Sequence, residues 1–133
     1  MIFPDDSIFE LDLDDTHIIS LPNSFHILSS LKTLDVSENQ LMQIPDSICR
    51  LRSLTTLYLG YNRLTYIPYT IRYLSSLTGL EVGFNQLTSI PNCIQNMTSL
   101  TALYVGGNPI TSTDEGQAKV KKQFKRTGLS ISV

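Results

Sequence analysis

Apolar residues recur along this chain in one pattern with a period of 23 residues. Each copy opens with apolar residues at its positions 1, 4 and 6, as in Leu54, Leu57 and Leu59. Positions 4 and 6 share one face of an extended strand, whereas all three positions cannot share one face of a long helix. Each copy is therefore predicted to begin with a short β-strand. The copies begin near Ile8, Leu31, Leu54, Leu77 and Leu100.

An asparagine follows the strand at one fixed offset in four of the five copies. Its amide both donates and accepts hydrogen bonds, so it can satisfy backbone groups that lose their partners where the chain turns. We interpret these residues as structural: Asn39, Asn62, Asn85 and Asn108, with Thr16 at this position in the first copy. A proline comes next, and the spacing of three between the apolar residues after it suits one turn of α- or 3₁₀-helix. These prolines are Pro22, Pro45, Pro68 and Pro91.

The third copy shows the whole motif: Leu54-x-x-Leu57-x-Leu59-x-x-Asn62-x-Leu64-x-x-Ile67-Pro68-x-x-Ile71-x-x-Leu74. This motif resembles the leucine-rich repeat family, in the subclass whose second half is Ile-Pro-x-x-Ile-x-x-Leu-x-x-Leu. The resemblance implies an α/β fold, a leucine-rich repeat solenoid forming a horseshoe segment. A short parallel sheet lines its concave side, and 3₁₀ or short helical turns form its convex side. Because no repeat buries its core alone, the five strands are expected to form one cooperative unit.

The two ends of the chain depart from the repeat. We predict a leucine-rich repeat array with an N-terminal cap over residues 1–112, followed by a C-terminal capping helix and tail over residues 113–133. In the N-terminal cap, Ile2 and Phe3 are expected to form an apolar flap over the first strand.

The capping helix is predicted from Asp114 to near Gly128, with Ser112 or Thr113 as its N-cap. Three apolar residues are expected to close the last repeat: Ala118, Val120 and Phe124. Two residues of the tail are expected to pack back onto the array: Ile131 and Val133. Five basic residues crowd the helix and are interpreted as a solvated face, with a patch for a membrane or an acidic partner as the alternative. They are Lys119, Lys121, Lys122, Lys125 and Arg126.

The composition fits one soluble domain, with 133 residues, 41% of them hydrophobic, and a formal net charge of −2. This balance gives no indication of disorder or of nucleic-acid binding. No apolar run approaches the roughly 20 residues that span a bilayer, and the first residues lack the pattern of a signal peptide. We therefore expect a cytoplasmic protein without membrane association, or one in the host cytosol if it is a secreted bacterial effector. Cys49 and Cys93 lie in non-adjacent repeats and are expected to be reduced thiols.

Residues between the repeated apolar positions point away from the core, so the concave face can be predicted position by position. The early repeats supply an acidic zone: Glu10, Asp12, Asp14, Asp15, Asp35 and Glu38. The later repeats supply an aromatic zone on a floor of glycine and threonine: Tyr58, Tyr61, Phe84 and Tyr104. Glu81 occupies the same strand position as Tyr58 and Tyr104. Three glycines just past the strands either admit a partner closely or are required by the turn: Gly60, Gly83 and Gly106.

Large aromatic side chains on this face have no core to fill, and tyrosine is enriched at binding hot spots. The sequence therefore predicts a non-enzymatic, monomeric module that binds a protein on its concave face. The predicted partner-binding residues are Tyr58, Tyr61, Glu81, Phe84 and Tyr104, together with Asp12, Asp14, Asp35 and Glu38. The acidic members favour a basic rim on the partner.

Cofactor and metal sites are not predicted. The chain has no glycine-rich phosphate loop and no Cys/His spacing for zinc. In its Asp12-x-Asp14-Asp15 cluster, Asp12 and Asp14 alternate onto one strand face, but the cluster lacks the Gly and downstream Glu of a calcium loop.

The short array resembles in style those of secreted bacterial effectors and their regulators. A specific hypothesis is that the protein inhibits or regulates an enzyme, such as another effector, by covering its active site. Two alternatives remain open at this point. The chain is a membrane-associated or structural adaptor that acts through its basic C-terminal helix, or it is a fragment of a larger leucine-rich repeat receptor.

Overall fold

The computed structural model describes residues 8–126 and 128–133. Each of the five repeats contributes one three-residue strand to a single parallel sheet, and a sixth strand follows at the C-terminal end. In both chain and spatial order the strands are β1 (Glu10–Asp12), β2 (Thr33–Asp35), β3 (Thr56–Tyr58), β4 (Gly79–Glu81), β5 (Ala102–Tyr104) and β6 (Ser130–Ser132). The predicted flap of Ile2 and Phe3 lies outside the described residues.

Equivalent residues of successive repeats pair directly across the sheet. Leu34 pairs with Leu57, Leu57 with Leu80, and Leu80 with Leu103. This register stacks the inward leucines into one continuous row, in which no member is more than 2% exposed. The stacking joins all the repeats into a single apolar core, and the predicted solenoid is confirmed.

The convex wall consists of short 3₁₀-helices, which are one of the two helical forms that the proline spacing predicted. In the third repeat the backbone N–H of Ile71 donates to the carbonyl of Pro68 at 3.0 Å, and that of Leu74 donates to Ile71 at 3.1 Å. This i to i+3 spacing is that of a 3₁₀-helix. In the described part of the chain this wall comprises Phe25–Ile27, Ile48–Arg50, Tyr69–Tyr73 and Asn92–Asn96. A further 3₁₀-helix, Pro109–Thr111, packs against the C-terminal helix instead.

A ladder of buried asparagines satisfies the backbone where each strand ends. In the fourth repeat, Asn85 Nδ2 donates to the carbonyls of Leu59 and Val82, each at 3.0 Å. Its Oδ1 accepts the backbone N–H of Leu64 at 2.9 Å. Asn39, Asn62 and Asn108 make equivalent bonds, and in the first repeat Thr16 donates its backbone N–H to Asn39. The structural interpretation of these residues is confirmed.

The C-terminal helix α1 (Asp114–Gln123) begins at the N-cap Thr113, whose Oγ1 accepts the backbone N–H of Gly116 at 3.0 Å. Val120 and Phe124 are four positions apart, lie on one face of the turn, and are buried against the last repeat. Ala118 is exposed, so the prediction that it helps to close the repeat was wrong. It precedes Val120 by two positions, which places it on another side of the helix.

The tail forms strand β6, which the repeat pattern did not predict. Ala102 pairs with Ser130, Leu103 with Ile131, and Tyr104 with Ser132. Ile131 and Val133 pack against the core, as expected. The tail therefore extends the sheet beyond β5 as well as covering the core.

Arg126 is not part of a solvated basic face, and this expectation was wrong. Its Nη2 donates to the carbonyls of Met97 and Leu100, each at 2.7 Å, so it joins the segment after α1 to the end of the fourth repeat and the start of the fifth. Four other basic residues are exposed, as expected: Lys119, Lys121, Lys122 and Lys125.

We expect Arg126→Gln to lower the free energy of unfolding by about 1 to 3 kcal/mol, because two carbonyls lose a charged hydrogen-bond donor. Changing all four exposed lysines to glutamine serves as the control and should shift it by less than about 0.5 kcal/mol. Urea denaturation of both variants checks this, and equal effects would contradict the structural role of Arg126.

Cys49 and Cys93 are free, buried thiols in the structure. Burial raises the pKa of both thiols above the ordinary value. Because the thiolate is the reactive form, neither cysteine has the electrostatics of a reactive nucleophile.

Candidate functional site

The structure gathers the aromatic zone around one hollow on the concave face, with a volume of about 460 Å³. All four members of the zone line it, together with Glu81. Its floor consists of small or short residues from three neighbouring strands: Thr56, Gly79 and Ala102. The acidic residues of the early repeats do not line this hollow. The predicted partner-binding residues therefore form two separate groups on one face.

Tyr61 and Phe84 form the rim of the hollow just past the C-terminal ends of β3 and β4, and their rings stack on each other. Their ring centroids are 4.4 Å apart and the ring planes differ by 7°. Both side chains remain exposed to solvent, by 51% and 43% respectively. The same position of the fifth repeat holds Gly107, so no third ring continues the stack. A Cβ there would lie only 2.5 Å from the Phe84 ring.

These two aromatic residues also have left-handed backbones, with φ of 55° for both Tyr61 and Phe84. The turn imposes this conformation at the same position of every repeat, where the other residues are Asp15, Glu38 and Gly107. Left-handed backbone suits glycine, and a bulky residue there is uncommon and costs free energy. The sequence placed Tyr61 and Phe84 on this face but gave no indication of the strain.

Tyr104 lies flat against the sheet because Gly83 has no side chain. A Cβ on Gly83 would meet the Tyr104 ring at 2.2 Å, and one on Gly60 would meet Glu81 Oε1 at 3.0 Å. Neither glycine has a positive φ, so the turn does not require them. At Gly83, the space that one of the two interpretations assigned to a partner is occupied by this chain's own Tyr104.

Glu81 lies between Tyr58 and Tyr104, its register neighbours on β3 and β5. The side chain is half-buried, and among the described residues its carboxylate has no hydrogen bond or ion pair. Burial, and the negative charge of Asp35 beyond it, raise the pKa of Glu81 above its ordinary value. A raised pKa means that the ionised group destabilises the folded state, and this contribution grows as pH rises through that pKa.

In the acidic zone, the structure brings together one carboxylate oxygen from each of Asp12, Asp14 and Asp35, all within 4.8 Å of one another. Asp12 Oδ1 accepts the backbone N–H of Asp14 at 3.0 Å, which lowers the pKa of Asp12. The hydrogen bond with Asp12 and its charge raise the pKa of Asp14. In the next repeat, Asp35 accepts the backbone N–H of Ser37 at 2.9 Å. These carboxylates are thus held by local turns and give the early repeats a concentrated negative charge.

Two lining residues of the hollow were missed by the sequence analysis, Ser130 and Ser132 of β6. The alternation of Leu129, Ile131 and Val133 with serines was the signal that could have identified this strand. Because β6 pairs with β5, its serines border the hollow on the side of Tyr104.

None of the helices in the described part of the chain is both long and apolar enough to cross a membrane.

A family model described as "Leucine-rich repeat region" matches residues 10–124. No curated protein matches the chain. Among solved structures, a leucine-rich repeat protein of Leptospira interrogans aligns with 96% of this chain at a TM-score of 0.74 and 24% identity. At that identity the likeness concerns the fold alone. An internalin of Listeria monocytogenes aligns with 86% of the chain at a TM-score of 0.66 and 25% identity.

A plant peptide hormone receptor in complex with RGF2 aligns with 77% of the chain at a TM-score of 0.70 and 36% identity. The chain spans only 38%, 31% and 17% of the lengths of these three proteins, in the order given.

Proposed function

Because the chain belongs to the leucine-rich repeat family, whose fold is a protein–protein interaction module, we propose that it binds a protein partner on its concave face through the aromatic zone. The family is typically a non-enzymatic interaction fold, and the proposed role is likewise binding without catalysis. The chain acts as a monomer in this proposal.

The observation that carries the proposal is the strained, exposed stack of Tyr61 and Phe84. Glycine would satisfy the turn at lower cost, as Gly107 does at the same position of the next repeat. Strained residues of this kind concentrate at functional sites, where the rest of the fold supplies the stability they cost. Two rigid aromatic rings beside a hollow also match the anchors that dominate protein interfaces.

Charge on the concave face favours a basic partner. The concave face is formed by four positions of each repeat, which in the third repeat are Thr56, Tyr58, Gly60 and Tyr61. These positions hold no lysine or arginine in any of the five repeats, whereas the acidic zone holds six carboxylates. A field of one sign speeds the encounter with an oppositely charged surface and sets its orientation. In this proposal the aromatic zone supplies affinity, and the acidic zone, with Asp12, Asp14, Asp35 and Glu38, guides association.

For a partner that is an enzyme, docking across its active site would inhibit it. The concave face then acts as a cover, and inhibition decreases in proportion to lost affinity when the aromatic zone is altered.

We expect Tyr61→Gly and Phe84→Gly each to weaken partner binding by about 2 kcal/mol or more. Glycine relieves the left-handed backbone while the ring stack is lost, so the free energy of unfolding should stay within about 1 kcal/mol of the parent value. Parent and variant chains, immobilised in parallel as baits, identify the partner, and calorimetric titration then gives its affinity.

Two tyrosines of the convex wall provide matched controls. Tyr69 and Tyr73 are as exposed as the rim residues, but they lie on the opposite side of the sheet and flank Arg72. Tyr69→Ala and Tyr73→Ala should leave affinity unchanged. A partner that tolerates both glycine variants and is lost with either convex variant would place the binding surface on the convex side.

A further inference from the structure

The hollow contains one charged group, Glu81, whose surroundings suit a cation. The carboxylate has no partner among the residues that the structure describes, and it faces solvent through the hollow. Tyr58 and Tyr104 are its register neighbours on β3 and β5, and both line the same hollow. A carboxylate beside aromatic rings attracts a cation through both its charge and the π-faces of the rings.

The depth of the hollow comes from Gly79. A Cβ built there would meet only Thr56 Cγ2, at an ordinary contact distance of 3.7 Å. This glycine has no positive φ, so neither the turn nor packing requires it. Glycine within a strand costs stability relative to a β-branched residue, and Thr33 and Thr56 occupy the same position in earlier repeats. The absent side chain leaves room on the floor of the hollow for a group from outside.

We infer that this subsite, formed in the hollow by Glu81, Tyr58, Tyr104 and Gly79, binds an arginine side chain presented by the protein partner. The inference rests on the proposed function, since it names a chemical feature of that partner. A guanidinium is planar and donates two parallel hydrogen bonds to one carboxylate, while its faces stack on aromatic rings. Its aliphatic stem packs against the floor of the hollow.

The electrostatics of the free protein agree with this occupant. Burial and the charge of Asp35 already destabilise the ionised carboxylate of Glu81, which is why its pKa is raised. A bound guanidinium supplies the missing opposite charge, whereas a neutral side chain would bury the carboxylate further without a partner. The negative charge of the acidic zone favours the same occupant over an acidic one.

The subsite can be tested with N-acetyl-arginine amide as the probe, followed by backbone-amide NMR of the whole chain. Saturable shifts are expected at Tyr58, Glu81 and Tyr104, with a dissociation constant in the millimolar range for so small a ligand. N-acetyl-citrulline amide has nearly the same shape without the charge and should give no saturable shifts there. Equal shifts with both amides, or none with the arginine amide, would overturn the inference.

Two variants test the residues themselves. Glu81→Gln keeps the shape of the side chain and removes a charged hydrogen-bond acceptor. It should therefore raise the dissociation constant of the arginine amide about tenfold. Gly79→Val fills the hollow and should abolish the shifts. Neither variant is expected to unfold the chain, because the first removes a half-buried charge and the second replaces a strand glycine. Thermal melting of both variants checks this.

Glu115→Gln, on the exposed side of α1, makes the same change in net charge outside the concave face and should leave the arginine-amide titration unaltered. If Glu115→Gln weakens binding of the arginine amide as much as Glu81→Gln does, the attraction is a general effect of net charge, and the assignment of the subsite is wrong. Failure of the subsite is separable from failure of the proposed function. A partner that needs Tyr61 and Phe84 but tolerates Glu81→Gln and Gly79→Val would overturn only the subsite.

Discussion

Leu57→Asp is expected to abolish cooperative folding of the entire repeat array. Leu57 is completely buried and stacks between Leu34 and Leu80 in the inward row of the sheet. Burying an unpaired carboxylate there costs several kcal/mol, a large part of a total stability of about 5 to 15 kcal/mol. Since all repeats share one core, no repeat can unfold without exposing its neighbours.

Differential scanning calorimetry and far-ultraviolet circular dichroism measure this loss directly. Met42→Asp provides the control, because it introduces the same charge at an apolar residue that is 65% exposed. It should change the free energy of unfolding by about 0.5 kcal/mol or less. A Leu57→Asp chain that keeps most of the parent transition would contradict the single-core description.

Asn85→Asp is expected to destabilise the fold by about 3 to 5 kcal/mol, although it exchanges only one amide nitrogen for an oxygen. The amide nitrogen of Asn85 donates to the carbonyls of Leu59, Val82 and Gly83. An aspartate oxygen accepts hydrogen bonds and cannot replace these donations when ionised. The change therefore leaves buried carbonyls unpaired beside a buried negative charge.

Chemical denaturation at neutral pH gives the size of this effect. Asn96→Asp is the isosteric control on the convex surface, where the side chain is exposed and its new charge remains hydrated. It should shift the free energy of unfolding by no more than about 0.5 kcal/mol. Similar losses in the two variants would show that the buried ladder contributes no more than a surface residue.

In the aromatic rim, stability and the proposed binding function oppose each other. Tyr61 and Phe84 occupy backbone positions where glycine is favoured, and Glu81 holds a half-buried charge without a partner among the described residues. Each of these features lowers stability, and all of them border the same hollow. Their convergence supports a binding role for the hollow more strongly than any one of them alone.

The sequence by itself determined the repeat architecture. The inward apolar residues recur in every copy with a period of 23 residues, and the asparagine recurs in four of the five. This local pattern dictates one strand, one turn and one convex segment leading back to the next strand in each repeat. Because strand side chains alternate, the same pattern also fixed which residues face the concave side. The aromatic zone and the acidic zone could therefore be identified before the structure.

Only the tertiary structure decided how these residues meet. Strand β6 pairs Ala102 with Ser130 and not with Lys125, which the 23-residue period would supply, so periodicity could not reveal it. Arg126 belongs to a run of basic residues, and only the docking of α1 shows that it donates to repeat carbonyls. That no described residue pairs with the Glu81 carboxylate likewise depends on which side chains lean toward it across neighbouring strands. Such contacts join residues far apart in sequence, and their geometry is set by packing of the whole solenoid, which no local pattern encodes.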